Sequence, residues 1–295
     1  SAPTYMETNW NQGAVLFFEQ GDTLQEIGSI IGIETHEQFG DRVFMCGDLD
    51  RDGQNDVLIA SSKYGGSLAE EDNTALVGKI YVAYHSQWRS VTDSQSLISI
   101  TGSDVGGRLG HSAHCQDDID GDGNLDIVVA APFSDTSPEA SGALYVYTPT
   151  STSLGSPSIR LTLDNIEQNP QNAWLGWSLA VDDIDGDGSP DIVAGAPGAN
   201  NGLGSVYIWF GSNIRQDIYT PSIIIRSEET TIGKSISLGD LNGDSFIDLI
   251  VAEPKGSPGG TLGSLQAGSA HIFWGPIANG ISVIDIRSAS AQYSG

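Results

Sequence analysis

Four acidic nonapeptides carry residue types and spacings that could do chemistry: DLDRDGQND from Asp48, DIDGDGNLD from Asp118, DIDGDGSPD from Asp183 and DLNGDSFID from Asp240. In the pattern D-x-[DN]-x-D-G-x-x-D, side-chain oxygens at positions 1, 3, 5 and 9 and the carbonyl at position 7 can converge on one hard cation. The glycine at position 6 permits the tight turn. An all-oxygen donor set with high negative charge selects Ca²⁺ over softer metals. The expected ligands are Asp48, Asp50, Asp52 and Asp56 with the carbonyl of Gln54, then Asp118, Asp120, Asp122 and Asp126 with that of Asn124. In the third loop they are Asp183, Asp185, Asp187 and Asp191 with Ser189, and in the fourth Asp240, Asn242, Asp244 and Asp248 with Phe246. Ser245 replaces the turn glycine and Asn242 is neutral, so the fourth loop is expected to bind most weakly. An EF-hand does not fit, because Ile59, Val129, Ala194 and Val251 stand where its bidentate glutamate belongs. Up to four Ca²⁺ ions would offset eight of the 26 net negative charges, so metal binding and folding are expected to be linked.

The elements that must position these loops recur with them. Each loop follows a glycine (Gly40, Gly110, Gly176, Gly233) by seven or eight residues and runs into a β-rich segment: DVLIASS, DIVVAAP, DIVAGAP and DLIVAEP. A glycine-led aromatic strand comes next, GKIYVAY from Gly78, GALYVYT from Gly142, GSVYIWF from Gly204 and GSAHIFW from Gly268. A fourth apolar segment closes each unit: SLISI, SIRLTL, SIIIRS and SVIDIRS. Four short strands per unit predict a four-stranded antiparallel sheet, and tandem units predict radially arranged blades, an all-β β-propeller.

The ordered set of Phe39-Gly40, an Asp-rich loop, a strand ending in Gly195-Ala196-Pro197 and a Gly-x-Val-Tyr strand resembles the FG-GAP repeat of integrin α-subunit propellers. The same repeat is found in the propeller part of GPI-specific phospholipase D. Leu109, Leu175 and Ile232 replace the phenylalanine of the FG pair. In phase, the chain holds an outer half-blade over 1–38, blades over 39–108, 109–174, 175–231 and 232–291, and the start of a further blade at 292–295. Family propellers have seven blades, so the resemblance implies four complete blades and part of another, a portion of a longer propeller.

Composition narrows the partners. Thirty-eight acids against twelve bases repel phosphate, which argues against nucleic acid. No apolar run reaches the roughly 18 residues of a spanning helix, so direct membrane insertion is not expected. Loops of this kind in extracellular modules bind calcium with dissociation constants of about 10⁻⁴–10⁻³ M, which places the chain at the cell surface or outside the cell. Cys46 and Cys115 occupy equivalent first strands, and neighbouring blades are normally too far apart there for a bridge, so two buried free thiols are expected.

Other constellations are weaker. His111 and His114, at i and i+3, point to opposite faces of a strand. Gly233-Lys234-Ser235 lacks the earlier glycine of a phosphate loop, and no Gly-x-Ser-x-Gly elbow occurs. The stripes Tyr81/Tyr84, Tyr145/Tyr147, Tyr207/Trp209 and Phe273/Trp274 recur in phase and are expected to pack between sheets. Ligand contacts are expected on the rim opposite the acidic loops, in connections 61–77, 133–141, 198–203, 255–267 and 164–175. Tyr64, Phe133 and Trp174 are the aromatic candidates there, and 61–77, with Lys63, Glu70, Glu71 and Asp72, is the most individual loop. With no catalytic constellation in view, the favoured function is non-catalytic recognition or adhesion toward a protein or glycan. The alternatives are the propeller portion of a larger secreted enzyme, or a subunit of a surface assembly in which another copy or another chain completes the partial blade.

Overall fold

The computed structural model describes residues 12–34, 37–65, 76–134, 140–150, 152–164, 166–167, 170–228, 230–254, 268–277, 283–289 and 291–294. They form five sheets. Strands β1 (Ala14–Gln20) and β2 (Leu24–Ile31) pair as a hairpin. The next four strands, β3 (Arg42–Met45), β4 (Val57–Ser61), β5 (Lys79–Ala83) and β6 (Ile98–Thr101), form an antiparallel meander. Strands β7 (Ala113–Asp117), β8 (Asp126–Ala131), β9 (Ala143–Tyr147) and β10 (Ile159–Leu161) form another. The fourth sheet has β11 (Ser178–Asp182), β12 (Asp191–Ala196), β13 (Ser205–Trp209) and β14 (Ile223–Arg226), with β18 (Val283–Asp285) added parallel to β14. The fifth contains β15 (Ile236–Gly239), β16 (Asp248–Glu253), β17 (Ser269–Phe273) and β19 (Ala291–Ser294). The chain is thus all-β, built from several antiparallel sheets.

The sheets pack on one another in chain order. All six residues of β8 and of β12 are buried, because a middle strand is covered on both faces by the neighbouring sheets. Each apolar cluster is shared by two sheets: Val15, Phe17 and Ile30 meet Ile59 and Tyr81, and Leu58, Ile80 and Val82 meet Ile127, Val129 and Tyr147. Farther along, Val128, Leu144 and Val146 meet Ile192, Tyr207 and Trp209, and Val193, Val206 and Ile208 meet Leu249, Val251 and Phe273. The recurrent aromatics therefore pack between sheets, and Tyr81, Tyr207 and Trp209 are fully buried.

The FG pair has a physical task in this stack. The N–H groups of Phe39, Leu109, Leu175 and Ile232 donate to the carbonyls of Gln12, Val77, Ser141 and Leu203, each just before the glycine that opens a third strand of the preceding sheet. Backbone thus meets backbone at Gly78 and Gly142. Both have positive φ, and an added Cβ would lie 2.2 and 2.5 Å from main-chain atoms of Leu109 and Leu175. Only glycine fits such an approach, which accounts for its place at the head of β5 and β9, and the same close approach recurs at Gly13 and Gly204.

Two expectations are corrected. Val283–Asp285, expected as the outer strand of its own unit, pairs with Ile224–Arg226 of the preceding sheet, where Ile286 is buried and Ile284 packs against the shared core. The outer place on β17 goes to Ala291–Ser294. The second correction is the cysteine pair: Cys46 and Cys115 form a disulfide across a Cα–Cα distance of 4.7 Å. The crossing is tied by the Gly47 N–H, which donates to Cys115 O at 2.9 Å, and by the Gln116 Nε2–H, which donates to Met45 O at 2.9 Å. The N-terminal Ser1-Ala2-Pro3, His36, Glu70, Glu71, Asp72 and the connection 255–267 lie outside the described residues.

Candidate metal loops and ligand rim

Every acidic loop links the first and second strands of its sheet, so the four nonapeptides share one end of the stack. Their internal order is repeated. In the third, the N–H groups of Gly186 and Asp187 reach Asp183 Oδ1 at 2.9 and 3.1 Å, and Gly188 N–H reaches Asp183 Oδ2 at 2.9 Å. Asp187 and Ser189 N–H reach Asp185 Oδ1 and Asp187 Oδ1 at 3.0 and 2.8 Å. The chain is thereby wound around its own carboxylates. In the fourth loop Ser245 takes the glycine conformation at φ 71° and still donates to Asp240 Oδ2 at 2.9 Å.

The ninth position has a second task that spacing does not reveal. Asp56, Asp126, Asp191 and Asp248 are all fully buried. One carboxylate oxygen of each accepts the N–H at loop position 2: Leu49 at 2.8 Å, Ile119 at 2.9 Å, Ile184 at 3.0 Å and Leu241 at 2.9 Å. The other oxygen accepts from residues just past the third strand: His85 N–H at 2.9 Å, Thr148 Oγ1–H at 2.6 Å, Gly211 N–H at 2.7 Å and Gly275 N–H at 2.9 Å. Leu49, Ile119 and Ile184 are in turn buried between sheets. Sequence reasoning saw the carboxylates and missed these anchors. The apolar residue at position 2 of every loop was the available signal.

Three loops bring ligand-capable oxygens together. Those of Asp48, Asp50 and Asp56, of Asp118, Asp120 and Asp122, and of Asp183, Asp185 and Asp191 lie within 4.8 Å of one another in each set. In loop 4 the neutral Asn242 interrupts the acids, and its side-chain N–H donates to Asp244 Oδ2 at 2.9 Å. Burial, with the charge of Asp120 adding, pushes the Asp126 carboxyl up to about 6. Burial and then Asp185 push Asp191 up to about 7. Asp50 and Asp185 are also raised, first by burial and then by neighbouring carboxylates. Crowded, partly desolvated carboxylates of this kind favour either a proton or a cation. A carboxylate has about four acceptor sites, and the two main-chain bonds to Asp56 leave room for a metal. The donor set is all oxygen and fits a hard divalent cation.

At the opposite end of the strands the rim residues divide. Phe133 and Trp174 come together with ring centroids 6.1 Å apart, and Trp177 joins them at 6.0 and 5.9 Å. His111 lies 5.0 Å from Trp177, and the Arg108 guanidinium lies 4.7 Å from the Phe133 ring centre. Trp174 also lines a cleft of about 410 Å³ with Asn172, Pro197, Asn201 and Lys234. Tyr64 stands apart, with its hydroxyl donating to Glu34 and the Lys79 ammonium 5.1 Å from its ring. Trp177 and Arg108 escaped the sequence reading because they join this group only through the turns before the first strands. His114 contacts Asp117 rather than His111.

The protein carries FG-GAP repeats: the family model described as FG-GAP repeat matches residues 115–147 and 175–209. Its homologues include integrin α-subunits and GPI-specific phospholipase D. Human Integrin alpha-IIb is 32% identical over 200 residues, covering 68% of this chain and 18% of the relative. Rat Phosphatidylinositol-glycan-specific phospholipase D is 34% identical over 155 residues, 48% of this chain and 18% of the relative. Integrin alpha-PS2 of Drosophila melanogaster is 31% identical over 221 residues, 70% of this chain and 14% of the relative. The chain thus spans less than a fifth of each of these relatives. Among the described residues no helix is long and apolar enough to cross a membrane.

Proposed function

We propose that the chain is a calcium-stabilised, extracellular portion of a β-propeller that recognises a protein or glycan without catalysing a reaction. The observation that carries this reading is that three loops, each wound on its own main chain, each gather three carboxylates within 4.8 Å, with positions 1 and 3 common to all and position 9 or 5 as the third. Solvated Asp-Gly hairpins need not share a ligand phase, whereas cation sites must. Consecutive first strands lie side by side, β3 by β7, β7 by β11 and β11 by β15, as the inner strands of radial blades would. The disulfide supports an oxidising compartment. Calcium would be held by the side chains and position-7 carbonyls named above, up to four ions, and would supply charge neutralisation and rigidity. The ligand would meet the opposite rim, with Phe133, Trp174, Trp177 and Arg108 in contact and Tyr64 set to one side. Relatives named for phospholipase D favour a second reading, in which this propeller is the non-catalytic portion of a larger secreted enzyme.

Thermal unfolding with calcium and with a chelator tests the first step. A melting temperature that falls with chelator, and falls less for Asp120→Ala or Asp185→Ala, is expected. Identical melting with and without calcium refutes the reading. For the rim, Trp174→Ala is expected to abolish retention on a glycan array or on immobilised surface proteins while leaving melting unchanged, and unimpaired retention would refute that face.

A further inference from the structure

We propose that Arg51 and Arg215 couple the first three acidic loops, so that calcium binding at one loop raises the affinity of the next. The inference rests on the calcium reading and concerns how those sites are regulated. Arg51 is position 4 of loop 1. Positions 4 of the other loops are Gly121, Gly186 and Gly243, and all four residues have positive φ, 64° at Arg51. A long side chain is costly in that conformation, and here its guanidinium crosses to loop 2 and donates to Gly123 O, one residue before the ligand carbonyl of Asn124.

Loop 2 is tied to loop 3 by a second arginine, just after the short helix α1 (Gly211–Ile214). Arg215 Nη2 donates to Asp118 O at 2.8 Å and Nε to Ile119 O at 3.4 Å, while Nη1 donates to Ser189 Oγ at 3.1 Å. Asp118 supplies the first carboxylate of loop 2, and Ser189 supplies the ligand carbonyl of loop 3. An added Cβ on Gly121 would come 3.0 Å from Arg215 Nε. Glycine at position 4 of loop 2 thus leaves the space this arginine fills.

Both guanidiniums grip main-chain carbonyls and a hydroxyl. Among the described residues neither forms an ion pair with a carboxylate, although the Arg215 charge reaches Asp187 of loop 3, so the carboxylate oxygens themselves stay open to a cation. A cation that fixes Asp118 and Asn124 also fixes the acceptors of both arginines, and through them Arg51 in loop 1 and Ser189 in loop 3. The second site then has less to order, which is positive coupling, and linkage makes it reciprocal. Loop 4 has no such arginine. Its own contact with loop 3 is apolar, the Phe246 ring beside Gly186, and the nearby Ile277 N–H to Ile184 O bond at 2.8 Å comes from outside the loop, so loop 4 is expected to fill separately.

Amide exchange of the peptide spanning 117–125, followed against calcium concentration, reads loop 2 by itself. Disabling loop 3 with Asp185→Asn is expected to raise the loop 2 calcium midpoint by about fivefold or more, the usual scale of such coupling. The same change in an Arg215→Ala background is expected to leave the midpoint where Arg215→Ala alone puts it. Arg51→Gly, which restores the residue type of the other loops, is expected to weaken loop 2 without removing any ligand. If calcium protects loop 2 with one midpoint in all variants, the coupling is overturned and the calcium reading stands. If calcium leaves loop 2 exchange unchanged in every protein, both fall.

Discussion

Replacing Cys46 and Cys115 together by alanine is expected to lower the unfolding free energy by about 4 kcal/mol. The bridge joins residues 69 apart in sequence. Loop-closure entropy for a ring of that size is about 15 cal/mol/K, or about 4 kcal/mol at 25 °C. Both cysteines are buried, so alanine leaves no unsatisfied polar group in their place. The contacts beside the bridge remain available in the variant, including Gly47 N–H to Cys115 O at 2.9 Å and Gln116 Nε2–H to Met45 O at 2.9 Å. The loss therefore measures the covalent link rather than a collapsed crossing. Urea unfolding of both proteins in saturating calcium, extrapolated to water, is the assay. A difference below about 1 kcal/mol would refute the reasoning, because the loop term alone exceeds it. Alkylation of both thiols in unreduced, denatured protein would refute the bridge itself.

Three further outcomes are expected. Gly195→Ala puts a Cβ 2.0 Å from Gly233 O and is expected to cost more than about 2 kcal/mol. Gly188→Ala has open space around it but φ of 85° and is expected to cost about 1 kcal/mol, with both checked by chemical unfolding. Asp191→Ala strands the N–H groups of Ile184 and Gly211 and is expected to destabilise even the chelated protein, by about 3 kcal/mol; Asp120→Ala, which is not such an anchor, is expected to alter mainly the calcium-dependent part of melting. Burial, then the charges of Arg42 and Arg108, holds the His111 imidazole down at about 4. Stability tied to its neutral form is complete above pH 6.5 and lost as pH falls towards 4, by about 2 kcal/mol after discounting for its partial exposure, so His111→Gln is expected to flatten that limb of a pH–stability curve.

What could be read in advance follows from how local each feature is. The acidic loops were legible because nine consecutive residues hold all the proposed donors, and spacing within a turn is fixed by the chain itself. The sheets were legible because Gly78, Gly142 and Gly204, each of which touches the next unit's FG backbone, mark the starts of third strands. The cysteine pairing was not, since it depends on how closely two first strands converge, and inter-sheet distance is not a property of either strand alone. The exchange of Val283–Asp285 and Ala291–Ser294 between sheets was hidden for a related reason. A strand of three or four residues pairs with whichever edge lets its neighbours bury apolar surface, and Ile284 and Ile286 find that surface on the preceding sheet.

The same locality explains why the site looked simpler in sequence than it is. Read as a motif, all four acids of a loop are equivalent oxygen donors. In the structure Asp191 and its counterparts are buried and spend acceptor capacity on main-chain N–H groups from two elements, while Asp120 and Asp185 lie nearer the surface. Position 2 of the same loop is apolar because it belongs to the core between sheets. One nonapeptide thus contains a core residue, a buried anchor and carboxylates nearer the surface that keep acceptor sites beyond their main-chain bonds. A cation drawn to those carboxylates would act directly on the anchor's desolvated carboxylate, whose ionisation burial disfavours. On the proposed function, that is the physical route by which calcium at the end of the stack would reach the packing between its sheets.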